Sequence, residues 1–180
     1  MIVAVALFAV VMAVCVGALL SLISANRKAQ ALQSVMNNLN IALDGMARSV
    51  RMGSEYNGSV GCTGPVDGAY PNDCPTGSTQ LSFRPYGSLP SDPVWVYRFT
   101  HDGSGIGRIE KSDNGVDFIP ITASEVSIDD MLLYVVGTNE HDTVQPKVVI
   151  VIKGSAGVPG SSARTTFHIQ ATAVQRLLDL

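Results

Sequence analysis

No charged side chain occurs in the first 25 residues, MIVAVALFAVVMAVCVGALLSLISA, and charge begins only at Arg27 and Lys28. As a helix rising about 1.5 Å per residue, this stretch is about 37 Å long, enough to cross a hydrocarbon layer of about 30 Å. Segment 1–25 is therefore expected to sit in a membrane. The helical pattern does not stop at the charges. Leu32, Val35, Met36, Leu39, Ala42, Leu43, Met46 and Val50 recur at spacings of three and four, with Asn37, Asn38, Asn40, Asp44, Arg48 and Ser49 between them. A single apolar stripe on an amphipathic segment 26–53 predicts a head packed on it, through Leu32, Val35, Met36, Leu39, Leu43, Met46 and Val50. Gly53 suits the C-terminal cap, Arg48 and Arg51 suit the negative end of the dipole, and Gly45 is a weak point inside.

The remainder, 54–180, has the size of one globular head. Its first part, 54–78, is dense in Gly, Pro, Asp, Asn and Ser and reads as an irregular loop. In a domain exported from the cytoplasm, Cys62 and Cys74 are expected to pair across it, contributing about 3 kcal/mol. Cys15, inside the apolar run, is then a small apolar residue. Short β-type runs follow at Gln80–Arg84, Val94–Thr100, Gly105–Lys111, Val116–Ile121, Val126–Val136, Lys147–Lys153 and Thr165–Gln175, with hairpin turns at 101–104 and 112–115. In the last run Phe167, Ile169, Ala171 and Ala173 alternate with Thr166, His168, Gln170 and Thr172, so one face is buried. The expected fold is α+β: one long helix, first membrane-spanning and then amphipathic, on a mainly antiparallel sheet.

The apolar run is too long for the core of a cleaved signal and lacks a small-residue cleavage site, so it is expected to stay on the protein. Its only nearby cations lie C-terminal to it, whereas cytoplasmic flanks carry the Lys and Arg excess. This pattern predicts a basic leader ahead of Met1. The 12 Lys and Arg residues are scattered against 15 Asp and Glu, a formal charge of −3, which disfavours nucleic acid.

This plan resembles that of type IV pilins and type II secretion pseudopilins. MIVAVALFAVVMAVCVGALLSLISANRKAQ looks like the N-terminal helix of that family just after its processing motif, and Arg108–Ser112 with Gly115 and Phe118 is similar to head segments of minor, J-like pseudopilins. The resemblance implies a filament subunit that waits in the cytoplasmic membrane and is then extracted into an extracellular filament. Its implied partners are membrane lipid, copies of itself or related pilins, and inner-membrane assembly machinery. The family's Gly at the cleavage site, methylated aromatic residue and glutamate are not in this sequence. If the usual motif lies upstream, its glutamate stands just before Met1.

Ala9, Ala13, Gly17, Ser21 and Ala25, continued by Ala29, are spaced by four, a stripe that lets neighbouring helices approach closely. The stripe winds by about 40° per step, so it meets several neighbours, and Gly17 is the expected place for a bend. The alternative to close helix contact is the ordinary abundance of Ala and Gly in membrane helices. Gly103–Gly107 reads as a hairpin turn and not a phosphate cradle, since no strand-then-helix context with Lys-Ser or Lys-Thr follows. His101, His141 and His168 lack metal spacing. Asp113, Asn114 and Asp117 could join Asp129 or Asp130 around calcium, as in some pseudopilin heads, but Asp-Asn-Gly is first a turn. Asn57-Gly58-Ser59 fits a glycosylation sequon of low weight. No nucleophile elbow, cysteine–histidine pair or distinguished carboxylate pair points to an active site, and no cofactor or metal is expected. The rival reading is a monomeric, signal-anchored surface binding module.

Overall fold

The computed structural model describes residues 2–58, 62, 71–123, 126–139, 144–156 and 164–176. Helix α1 (Ile2–Met52) runs unbroken for 51 residues. Among the described residues nine strands follow: β1 (Ser54–Asn57), β2 (Cys74–Ser78), β3 (Gln80–Arg84), β4 (Trp95–His101), β5 (Gly107–Ser112), β6 (Ile119–Pro120), β7 (Val126–Val136), β8 (Lys147–Ala156) and β9 (Thr165–Val174). They form two antiparallel sheets, in the orders β1-β3-β4-β5-β6 and β2-β7-β8-β9. The chain passes from one sheet to the other at Thr79, whose carbonyl accepts the Phe99 N–H at 2.8 Å.

One apolar core joins helix and sheets. Val35, Leu39, Leu43, Met46 and Val50 from α1 meet Leu81, Phe83, Tyr97 and Ile109 from the first sheet and Met131, Leu133, Ile150 and Ile152 from the second. Burying each such side chain is worth about 1.5–3 kcal/mol. Leu32 is half-buried against this core, Ala42 is buried, and Met36 is half-buried.

Alternation explains the strands. On β7 the inward residues are Val126 and Ile128, then Met131, Leu133 and Val135. The step of three across Ile128–Met131 would put the two groups on opposite faces. A register shift between Ile128 and Asp130 inserts the extra residue and keeps them on one face. On β9, Phe167 and Ala173 are buried while Thr166, His168, Gln170 and Thr172 are exposed. Gly107, at the start of β5, faces the Ile128 carbonyl of β7 so closely that any Cβ would collide with it.

Two expectations are corrected. Segment 54–78 is not wholly irregular, because β1 and β2 stand at its two ends. Composition hid them: β1 is held by pairing to β3, and β2 by pairing to β7, contacts far apart in sequence. The run Val116–Ile121 forms only the two-residue β6. There the Asn114 Oδ1 accepts the N–H groups of Val116 (2.9 Å) and Asp117 (2.8 Å), so the backbone donors a strand would use are spent in a turn.

The end of α1 is fastened to the head. The buried Tyr56 hydroxyl reaches the carbonyls of Val50 (2.7 Å) and Gly53 (2.9 Å), and the Arg176 N–H beyond β9 donates to the Arg51 carbonyl (2.9 Å). The Val50 carbonyl also accepts the Gly53 N–H (2.9 Å), the single Tyr56 proton is shared between Val50 and Gly53, and the Arg176 N–H satisfies an Arg51 carbonyl that the helix terminus leaves without an intrahelical partner. Nearer the middle of the stripe, the Asn38 Oδ1 accepts the Ala123 N–H at 3.1 Å. Burial pushes the Tyr56 phenol above its ordinary value of 10.0. Folding thus favours the neutral phenol, and this stabilisation is full below about pH 10 and lost as pH rises through the folded-state value. Tyr56→Phe should cost about 1–3 kcal/mol at neutral pH and reduce the further loss of stability under alkaline conditions. Denaturant titrations of the full chain in detergent at pH 7 and above pH 10 check both; an unchanged alkaline slope would contradict the assignment.

Candidate functional site: the uncovered half of the helix

The feature that sets this chain apart is what covers α1. From Val35 to Val50 its stripe is buried by the head, whereas Ile2–Ala25 is exposed along its whole length among the described residues. Large apolar residues there are exposed on every side, from Ile2 at 87% to Ile23 at 41%. An apolar surface of this extent must be covered in its working setting. α1 is one helix long and apolar enough to cross a membrane. Since no polar face interrupts residues 2–25, the cover must be apolar all round, as lipid or other helices are.

Ala9, Ala13, Gly17, Ser21 and Ala25 lie in this exposed half. A Cβ added at Gly17 would meet nothing within 4 Å, and the helix passes through Gly17 without a break. Cys15 is free and exposed there. Cys62 and Cys74 form a disulfide with a Cα–Cα separation of 5.3 Å. Leu32, Val35, Met36, Leu39, Leu43, Met46 and Val50 lie on the half of α1 next to the head.

The other sequence candidates are dispersed. His101 is exposed at the end of β4, with its ring edge-on to Phe99, and His168 is exposed on β9; His141 and Ser59 of the sequon lie outside the described residues. Asp113 pairs with Lys111 (2.7 Å) and Asp117 accepts from Asn114 (2.8 Å), whereas Asp129 and Asp130 face Arg164 and Lys153 on the other sheet. Among the described residues, no three metal-ligating side chains converge. In the 101–105 turn the Asp102 carboxylate accepts the Ser104 hydroxyl (2.8 Å) and the N–H groups of Ser104 and Ile106 (both 2.9 Å). These bonds, the Ser104 hydroxyl first, hold its carboxyl below the ordinary range. The Gly-rich segment is thus occupied by its own aspartate.

Sequence reading missed two polar arrangements. Glu110 is 2% exposed and lies between Arg98 (2.7 Å) and Arg108 (2.8 Å), with the Arg98 guanidinium 3.3 Å above the Phe118 ring. Pairing with two arginines is what permits a buried carboxylate, and it ties β4 to β5. The antiparallel register that sets Arg98 opposite Glu110 was the only clue. Tyr56, at the helix end, gave no sequence signal. Clefts beside that end are lined by Arg48, Met52, Tyr86 and Trp95, and by Arg48, Arg51 and Arg176; neither contains a histidine or cysteine.

With the helix in a membrane, Cys15 should resist a charged, membrane-impermeant maleimide in intact membranes and react fully once sodium dodecyl sulfate unfolds the chain. Rapid labelling in intact membranes would show that residues near Cys15 are not in lipid or against other helices. No protein-family model matches the chain, and no curated protein or solved structure matches it.

Proposed function

We propose that this chain is a structural subunit of an extracellular filament of the type IV pilus or pseudopilus kind, held in the cytoplasmic membrane by segment 1–25 before assembly. The observation that carries the reading is the continuity of α1. A simple anchor needs only to span, and a loose linker to its head would serve. Here one helix of about 77 Å both offers the apolar half and forms the core of the head, so packing the exposed halves of many copies also fixes their heads in space. The head, two antiparallel sheets on the second half of the helix, is compatible with a pilin-like head but does not by itself require one.

Extraction then exchanges one apolar cover for another. Lipid contacts give way to helix contacts, so about 25 apolar residues need not meet water. Ala9, Ala13, Gly17, Ser21 and Ala25 let the backbones approach, and the winding of the stripe suits several neighbours. The partners are copies of this chain or related pilins, with inner-membrane machinery driving assembly and no role for nucleic acid.

Ala13→Leu and Gly17→Leu separate this reading from a monomeric anchored binder. Added bulk suits lipid but not close helix packing. Both variants should fractionate with membranes as the parent does, while electron microscopy of the producing cells shows filaments lost. Normal filaments from both variants would make the stripe incidental. A parent chain found only as a monomer in lipid would favour the binding module.

A further inference from the structure

Strands at the margin of a sheet leave backbone N–H and C=O groups unpaired, and folded proteins blunt such margins with short length, proline, charge or irregular register. Among the described residues, three of the four margins here are blunted. β1 has four residues and a shifted register, and its outer side is taken by Asn72, whose N–H donates to the Tyr56 carbonyl at 2.9 Å. β2 has five residues, a shifted register and Pro75. β6 is two residues long and contains Pro120.

β9 is unguarded. It pairs with β8 over ten residues without a register shift and contains no proline, lysine, arginine, aspartate or glutamate. Along Thr165–Val174 no backbone group is hydrogen-bonded on the side away from β8. In a regular antiparallel strand that side carries the N–H and C=O of every second residue. The core face is also incomplete there. Phe167 and Ala173 are 7% and 0% exposed, but Ile169 and Ala171 between them are only half-buried.

We infer that the free edge of β9 accepts an extended segment of a different protein as a fifth strand of this sheet. The segment is apolar at every second position. Its inward residues complete the core over Ile169 and Ala171, its outward residues are polar like Thr166, His168, Gln170 and Thr172, and its backbone groups pair with β9. Main-chain bonds supply affinity in this mode and the alternating side chains supply selectivity.

A second copy of this chain fits poorly. Antiparallel pairing of two β9 strands has its two-fold axis normal to the sheet, which reverses the direction of the helix lying on that sheet. Copies rooted in one membrane hold their helices in one sense, so this pairing is closed to them; that step rests on the membrane and filament reading above. Parallel pairing of two β9 strands would set the apolar row of each beside the polar row of the other. Joining β9 to the β2 of another copy keeps the helices aligned, but β2 offers five residues broken by Pro75 and leaves half of β9 unpaired.

The test uses the full chain in detergent micelles, where filament assembly plays no part, so its failure is distinct from failure of the filament reading. The probe is a nonapeptide alternating threonine and valine between terminal lysines, and the control is the same peptide N-methylated at its threonines, whose N–H groups face β9 in an antiparallel fifth strand because the Gln175 N–H bond to Pro146 turns the odd-numbered residues of β9 toward β8. Hydrogen exchange at single-amide resolution should show alternate amides of Thr165–Val174 exchanging freely without peptide. With the probe at a hundred times its dissociation constant they should slow by about a hundredfold. The N-methylated peptide should leave them unprotected. Ala171→Lys should also abolish the effect while the amides bonded to β8 stay protected. No slowing with the probe, or equal slowing with the methylated peptide, would overturn the inference. So would efficient disulfide formation between copies carrying Gln170→Cys with Cys15→Ala in membranes, since it would make a second copy the occupant.

Discussion

Burial of Val35, Leu39, Leu43, Met46 and Val50 joins three parts that are otherwise separate hydrogen-bonded units: a helix and two antiparallel sheets. Each sheet closes its own ladder, so apolar contact with the stripe is what sets them on the helix, while they also meet each other directly where Gly107 of β5 packs on the Ile128 carbonyl of β7. Remove that stripe and the sheets lose their common partner. The polar contacts follow from this placement. Tyr56 can reach the last helical carbonyls only because β1 turns back beneath the helix end, and Arg176 reaches Arg51 only because β9 ends beside it.

The same helix then makes two demands of its surroundings. Its second half is satisfied within the chain, and its first half is not. A rigid continuation between the halves means that whatever covers Ile2–Ala25 also orients the head. This coupling is why a filament reading suits the chain better than a tether, and why copies sharing one membrane are restricted in how their sheet margins can meet. Blunted margins on β1, β2 and β6 guard against indiscriminate pairing, which leaves β9 as the exception.

Much of this was legible in the sequence because its signals are local. The uncharged run, the three-and-four spacing from Leu32 to Val50 and the alternation in Thr165–Gln175 each report one element's own environment. What was not legible depends on distant pairing. β1 and β2 lie in a Gly- and Pro-rich stretch and exist as strands through β3 and β7. The division into two sheets follows from three crossings, between β1 and β2, at Thr79 between β2 and β3, and between β6 and β7, which only the pairing partners define. The burial of Glu110 between two arginines, and of the Tyr56 hydroxyl, required the fold to bring the partners together. Val116 misled by its apolar character, because it lies at the tip of a turn made by Asn114 and is 76% exposed.

The central claim is that residues up to Ala25 serve the surroundings and not the fold of the head. It is tested most directly by the size and stability, in water without detergent, of a chain beginning at Arg27. The account predicts a monomer by sedimentation with a single cooperative thermal transition, at the temperature where the head of the full chain unfolds in detergent. An aggregated chain, or one without a cooperative transition, would contradict it, because the apolar half would then be part of what holds the head together.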